Sequence, residues 1–236
     1  MKAIILAAGK GRRISELVDD FPKSMLKINN KSIIHNQIEA CKKVGIKKFV
    51  FVLGYKKSIL ENHILEKLPS EEVSIVLNPE FASTNTLYSL WLAKDFFDED
   101  FIYFNADVMF QTDLLKKLQG EIDNSTLLVD FKHCQQEEVK VILDEQKYIK
   151  KIGKKLEMAK CAGEFIGIAR FKYKDLSEFL KFLEMGVKAG QKNNYFEYAV
   201  NKLAKKKKLK AVATGDFDCI EIDFPEDYQK AVKNFQ

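Results

Sequence analysis

The sequence predicts an α/β fold: a mostly parallel central sheet flanked by helices, with a smaller mixed-sheet portion built onto it. The short runs Ala3–Ala7, Phe49–Leu53, Val73–Leu77 and Phe101–Phe104 are apolar almost throughout, as strands are when both faces of a parallel sheet are covered. Segments with helical apolar spacing stand between them, giving the alternation of an α/β domain. The 236 residues are 46% apolar and 31% charged, and 4 prolines and 11 glycines form no linker. One folding unit over residues 1–236 is therefore expected.

The elements follow in order. After the first strand, Ile33, Ile34, Ile38 and Cys41 recur at helical spacing and stop near Gly45, a residue suited to a helix C-terminus. A charged helix is expected after the second strand, through about Leu68, and another from Thr86 to Phe97. From Thr126 the character changes: 126–131, 139–143, 148–152 and 165–171 read as strands, some joined by short turns such as Asp144-Glu145, and Leu176–Met185 as an amphipathic helix. The first portion thus spans about residues 1–125 and the second about 126–236. Ligands of open α/β sheets bind beyond the carboxyl ends of the strands, so the residues just past each strand carry the most functional information.

Charge excludes several classes. Lys and Arg number 39 against 34 Asp and Glu, a net charge of +5, and the two signs are interspersed. The one basic block, Lys205–Lys208 with Lys210, lies between a helical pattern and a strand, as a solvated turn does. No helix-turn-helix or RNA-binding signature occurs, so no nucleic-acid partner is expected. Cys41, Cys134, Cys161 and Cys219 form no CxxC, which argues against a zinc site or disulfide framework. The apolar start Ala3–Ala8 is too short for a signal peptide, and no run approaches the roughly 20 residues of a bilayer span. A cytoplasmic protein without membrane insertion is expected; a homo-oligomer is compatible with the sequence. His35, His63 and His133 fall in no motif and read as structural or surface residues.

The first strand runs into Leu6-Ala7-Ala8-Gly9-Lys10-Gly11-Arg12-Arg13. Small residues let backbone amides approach an anion, and the basic residues neutralise it. A dinucleotide fingerprint needs a third glycine where Ile14 stands, and a Walker loop needs Gly-Lys-Ser/Thr after four spacers; neither is present. Ten residues after Arg13 comes Lys23, in Pro22-Lys23-Ser24-Met25-Leu26.

LAAGxGxR followed by PKxxL resembles the signature of the nucleotidyltransferases that make sugar nucleotides and CDP-activated alcohols. The resemblance implies a Rossmann-like nucleotidyltransferase fold in which Leu6, Ala7, Ala8, Gly9, Lys10 and Gly11 wrap a triphosphate. Arg13 would bind its β- and γ-phosphates, and Lys23 would steady the α-phosphate. Asp107, just past the fourth strand, resembles the aspartate that binds Mg2+ in that family. Asp218-Cys219-Ile220-Glu221-Ile222-Asp223 reads as an acidic strand with its three acids on one face; by resemblance Asp223 is the preferred second ligand and Glu221 the next.

Ser83-Thr84-Asn85-Thr86 stands where the family reads the base, and TNTLYSL resembles the subgroup of phosphocholine and 2-aminoethylphosphonate cytidylyltransferases. Ser83, Asn85 and Thr86 are therefore assigned to the nucleotide, although a helix N-cap explains the same cluster. Gly163-Glu164-Phe165-Ile166-Gly167 resembles the subgroup's acceptor-lining strand. Tyr195 and Glu197, expected on the next helix, offer aromatic and anionic contacts for a cationic acceptor, or serve simply as core. The implied reaction moves CMP from CTP onto a small phosphorylated or phosphonate acceptor, such as phosphocholine, an aminophosphonate or a phosphorylated amino compound. The rival is a sugar-1-phosphate nucleotidyltransferase using UTP, dTTP or GTP.

Overall fold

Strand β1 (Lys2–Ala7) is buried along its whole length, because its alternate side chains enter two different cores. Ala3, Ile5 and Ala7 face one, and Ile4 and Leu6 the other, as the two-residue period of a strand requires. The computed structural model describes all residues except 15, 16, 18, 19 and 236. Among the described residues the strands are β1, β2 (Lys27–Ile28), β3 (Lys31–Ser32), β4 (Phe49–Leu53), β5 (Val73–Leu77), β6 (Phe101–Asn105), β7 (Val108–Phe110), β8 (Ser125–Asp130), β9 (Lys140–Leu143), β10 (Ile149–Gly153), β11 (Gly163–Phe171), β12 (Leu209–Ala213) and β13 (Cys219–Glu221). The helices are α1 (Ile33–Lys43), α2 (Lys57–Leu65), α3 (Thr86–Leu92), α4 (Asp113–Gly120), α5 (Tyr173–Lys188), α6 (Glu197–Ala204) and α7 (Pro225–Asn234).

The main sheet runs β10-β9-β11-β6-β1-β4-β5, with β8 and β12 continuing from β11. Strands β6, β1, β4 and β5 are parallel, so their carboxyl ends open on one edge. Strand β11 is antiparallel to β6 through its second half and pairs β9 through its first. One strand therefore joins the parallel half to the mixed half. Helices α1, α2 and α4 cover one face through Ile38, Leu60 and Leu115, and α3, α5 and α6 the other through Leu90, Phe179 and Val200. A third cluster, including Ile14, Leu26, Met109, Ile222 and Ala231, seats α7 and the β13–β7 pair beside the open edge.

Three sequence expectations are corrected. The helix expected over Thr86–Phe97 ends at Leu92 and resumes as a 3-10 turn, Lys94–Phe96. Tyr195 and Phe196 precede α6 rather than lying on it, because the Phe196 amide donates to Thr86 Oγ1 and the Leu87 amide to the Asn194 carbonyl, pinning that segment to α3. Asp218 does not share the face of Glu221: an offset of three residues reverses its side, where it accepts from Gln111 and Asn234. The histidine expectation holds for His35 and His63, whose rings stack 3.9 Å apart, with His35 Nε2 on the His63 carbonyl and His63 Nε2 against Ser32 Oγ. Together with Glu66 they make a close His–His–Glu group. No helix is long and apolar enough to cross a membrane among the described residues.

Candidate active site

A cleft of about 390 Å³ lies over the carboxyl ends of β1 and β6. Its floor is Leu6, Ala7 and Ala8, and Gly9, Gly11 and Arg13 form its rim. Gly11 adopts φ +64°, and a Cβ there would stand 2.9 Å from Lys23 Cβ. Only glycine combines this backbone with that approach. Gly11→Ala is accordingly expected to displace Lys23 and lower kcat by roughly 10²-fold, with the far-ultraviolet circular dichroism of the parent; unchanged kcat would contradict it.

Lys23 is the centre of the cleft's electrostatics. It is buried, with Nζ 2.8 Å from Asp107 Oδ2 and 2.8 Å from Asp223 Oδ1. Burial alone would lower its pKa, but the two carboxylates override burial and hold the ammonium protonated. Asp223 has its other oxygen on Arg13 Nη1 at 2.7 Å. Burial opposes its charge, yet Lys23 and then Arg13 keep its pKa below the ordinary value. Asp227, in the first turn of α7, accepts from the Asp223 and Phe224 amides and so fixes where Asp223 stands. The turn carrying Asp107 is tied down by the Ala106 amide on the Leu6 carbonyl and by the Ile222 amide on the Asp107 carbonyl.

Glu221 is the third carboxylate. It receives Asn105 Nδ2 at 3.0 Å, and burial followed by the charges of Asp107 and Asp223 drives its pKa upward. Asp107 and Asp223 converge on one ammonium, and Glu221 joins them in the lining of the cleft; carboxylate oxygens are hard donors, the kind a divalent cation takes. Asp107 Oδ1 is buried without a hydrogen-bond partner, an unmet polar demand that such an ion would satisfy. The residues fit a divalent metal.

The other expected residues divide. Asn85 and Thr86 line the cleft, and Asn85 caps α3 by accepting from the Thr86 amide. Ser83 is exposed and turns back to the Glu80 carbonyl, while its neighbour Thr84 lines the cleft. Lys10 is exposed beside the Tyr55 ring, 5.5 Å from its centroid. Glu164 stands outside the cleft lining and is engaged by Lys132 at 2.6 Å.

Tyr195 is on the rim, and Glu197 is buried in the wall with Phe165 and Phe196. Glu197 Oε2 has no hydrogen-bond partner, and burial raises its pKa from 4.5 to about 7. Residues missed by sequence reasoning include Asn78, Phe81, Tyr103, Asn105 and Lys154. Asn105, two residues before Asp107 at a strand end, and Phe81, at the head of the segment assigned to the base, carried a positional signal.

The raised Glu197 pKa has a thermodynamic consequence. Between pH 4.5 and about 7 the folded protein keeps a proton that the unfolded chain releases, so stability falls as pH rises through that window. The full effect is on the order of 3 kcal/mol. Glu197→Gln is expected to remove this slope and to be more stable than the parent at pH 8, as read by urea denaturation at pH 5 and 8. Parallel pH profiles for the two proteins would contradict it.

The family model "Nucleotidyl transferase" matches residues 2–150. A CTP:phosphoglutamine cytidylyltransferase from Campylobacter jejuni is 33% identical over 201 residues, 78% of this chain and 78% of its own. A choline-phosphate cytidylyltransferase from Streptococcus pneumoniae is 39% identical over 95 residues, 40% of each chain. The solved CTP:phosphocholine cytidylyltransferase from Streptococcus pneumoniae shares the fold, with a TM-score of 0.82 at 24% identity, covering 100% of this chain and 99% of that one.

Proposed function

Since the chain belongs to the nucleotidyl transferase family, we propose that it transfers CMP from CTP to a small phosphorylated acceptor and releases pyrophosphate. The observation that carries this is Lys23, held between Asp107 and Asp223 at the mouth of the glycine loop. The acceptor phosphate attacks the α-phosphorus in line; a new P–O bond forms and the bond to the β-phosphate's bridging oxygen breaks. The nucleophile is already anionic, so no general base is required. Lys23 stabilises charge on the α-phosphate, and the amides around Gly9 and Gly11 with Arg13 hold the leaving pyrophosphate. Magnesium is the cation we assign to Asp107, Asp223 and Glu221, where it would neutralise the phosphates as they approach one another. Arg13 pairs with Asp223 in the ligand-free chain, and exchange of that partner for phosphate is part of the proposal.

The acceptor is a phosphorylated amino or amide compound in this reading. The relatives act on phosphoglutamine and choline phosphate, which both carry nitrogen away from the phosphate. Here Glu197 presents a buried carboxylate oxygen with no partner, set among Tyr195, Phe196 and Phe165. That wall suits a nitrogen-bearing group through charge, hydrogen bonding and aromatic contact. The test is pyrophosphate release from CTP with Mg2+ across phosphoglutamine, phosphocholine, phosphoethanolamine, 2-aminoethylphosphonate, glycerol phosphate and sugar 1-phosphates. Turnover confined to nitrogen-bearing acceptors supports the proposal; turnover confined to a sugar 1-phosphate sinks it.

A further inference from the structure

Tyr103 is fully buried in β6, two residues before Asn105 and therefore on the same face of the strand. Its hydroxyl donates to Asn105 Oδ1 at 2.5 Å, and Asn105 Nδ2 donates to Glu221 Oε1 at 3.0 Å. The direction of this chain is set at both ends. Asn105 turns its NH2 towards Glu221 and its amide oxygen towards the phenol. The phenol then supplies the donor that the amide oxygen needs. Remove that hydroxyl, and Oδ1 loses the donor that selects its orientation. A flipped amide would set oxygen against oxygen at Glu221, inside a site where unpaired polar atoms cost most.

The surroundings are built to hold the chain still. The Tyr103 ring stacks on Phe196 with centroids 4.3 Å apart, which restrains the hydroxyl. Gln37, itself fully buried, donates to the carbonyls of Asn105 and Val108, both at 2.9 Å. Gly167 adopts φ +75° at the register shift in β11, and a Cβ there would lie 2.9 Å from Asn105 Nδ2. The glycine thus leaves the amide just enough room. Tyr103 and Asn105 line the cleft themselves, and their chain of hydrogen bonds ends at Glu221.

Granted the assignment of Glu221 to the divalent cation under the proposed function, we infer that Tyr103 and Asn105 are positioning residues that aim the Glu221 carboxylate at that cation. Their effect passes through the orientation of one carboxylate, as partners behind a metal ligand commonly act. Phe196 also neighbours Glu197, so the same chain ends against the wall assigned to the acceptor.

The test is Mn2+ titrated into the full-length protein with CTP and no acceptor, followed by electron paramagnetic resonance, for the parent, Tyr103→Phe, Asn105→Ala and Glu221→Gln. Steady-state kinetics and melting curves accompany it. Tyr103→Phe and Asn105→Ala are each expected to weaken Mn2+ binding about tenfold or more and to lower kcat comparably, with a smaller loss of CTP affinity measured without metal. A purely structural role would lower the melting temperature and leave Mn2+ affinity alone. If both variants bind Mn2+ within about twofold of the parent while Glu221→Gln is weakened, the positioning inference is overturned and the metal assignment stands. If Glu221→Gln is also unchanged, the metal assignment fails and takes the inference with it.

Discussion

Asp107→Asn is expected to lower kcat by about 10²–10³-fold, the cost of losing one strong electrostatic contact in a water-poor site. The substitution keeps the shape of the side chain and removes its charge. The Ile222 amide bonds to the backbone carbonyl of Asp107, not to its side chain, so β13 stays docked and Glu221 and Asp223 stay where they are. What changes is the donor set. A neutral amide binds a divalent cation more weakly than a carboxylate, and its NH2 would face either the buried position of the orphaned Oδ1 or the Lys23 ammonium. Saturating metal should restore only part of the rate. Turnover near that of the parent at all metal concentrations would remove Asp107 from the centre.

Lys23→Ala is expected to reduce kcat by a comparable factor, roughly 10²–10³-fold, with a much smaller change in the affinity for CTP. Binding draws on the glycine loop and Arg13 as well, whereas charge at the α-phosphorus falls to Lys23 in the proposed mechanism. A second readout is independent of turnover. Without Lys23, the carboxylates of Asp107, Glu221 and Asp223 lose the cation that lies between two of them, and their mutual repulsion goes uncompensated. The variant should melt below the parent without metal and gain more than the parent on adding Mg2+, because carboxylates freed of a competing ammonium bind the ion more tightly and the stabilisation grows with affinity. Equal Mg2+ shifts in both proteins would contradict this, as would a loss confined to KM.

The fold was legible where one local pattern decided it. The apolar runs of β1, β4 and β6 mark a parallel sheet because both of their faces are buried, whereas the equally apolar β5 is the edge strand and is only partly covered; Gly45 marked the end of α1. The edges of elements were less legible where distant contacts set them. The start of α6 is delayed by two hydrogen bonds to α3, whose residues lie about a hundred positions earlier, and no local signal encodes them. The parity of Asp218 was readable from the sequence itself, by counting from Glu221.

The site divides in the same way. Lys23, Asp107, Glu221 and Asp223 came from motif resemblance, and the structure brings all four together. Ser83, Lys10 and Glu164 stood in the right segments but face elsewhere, because a short motif gives the position of a residue and not the direction of its side chain. Tyr103 and Gln37 gave no signal. A tyrosine in an apolar strand and a glutamine on a helix are ordinary until their partners are seen.

In the proposed reaction this cleft moves a CMP unit intact from CTP to a phosphorylated acceptor. A single turnover with CTP labelled at the α-phosphorus, Mg2+ and a nitrogen-bearing phosphate acceptor tests it most directly. The label is expected in a CDP-linked product, matched mole for mole by pyrophosphate, and is expected to stay in CTP when Asp107→Asn replaces the parent over the same interval. Label recovered as free CMP, or transferred only when UTP, dTTP or GTP and a sugar 1-phosphate replace these substrates, would contradict it.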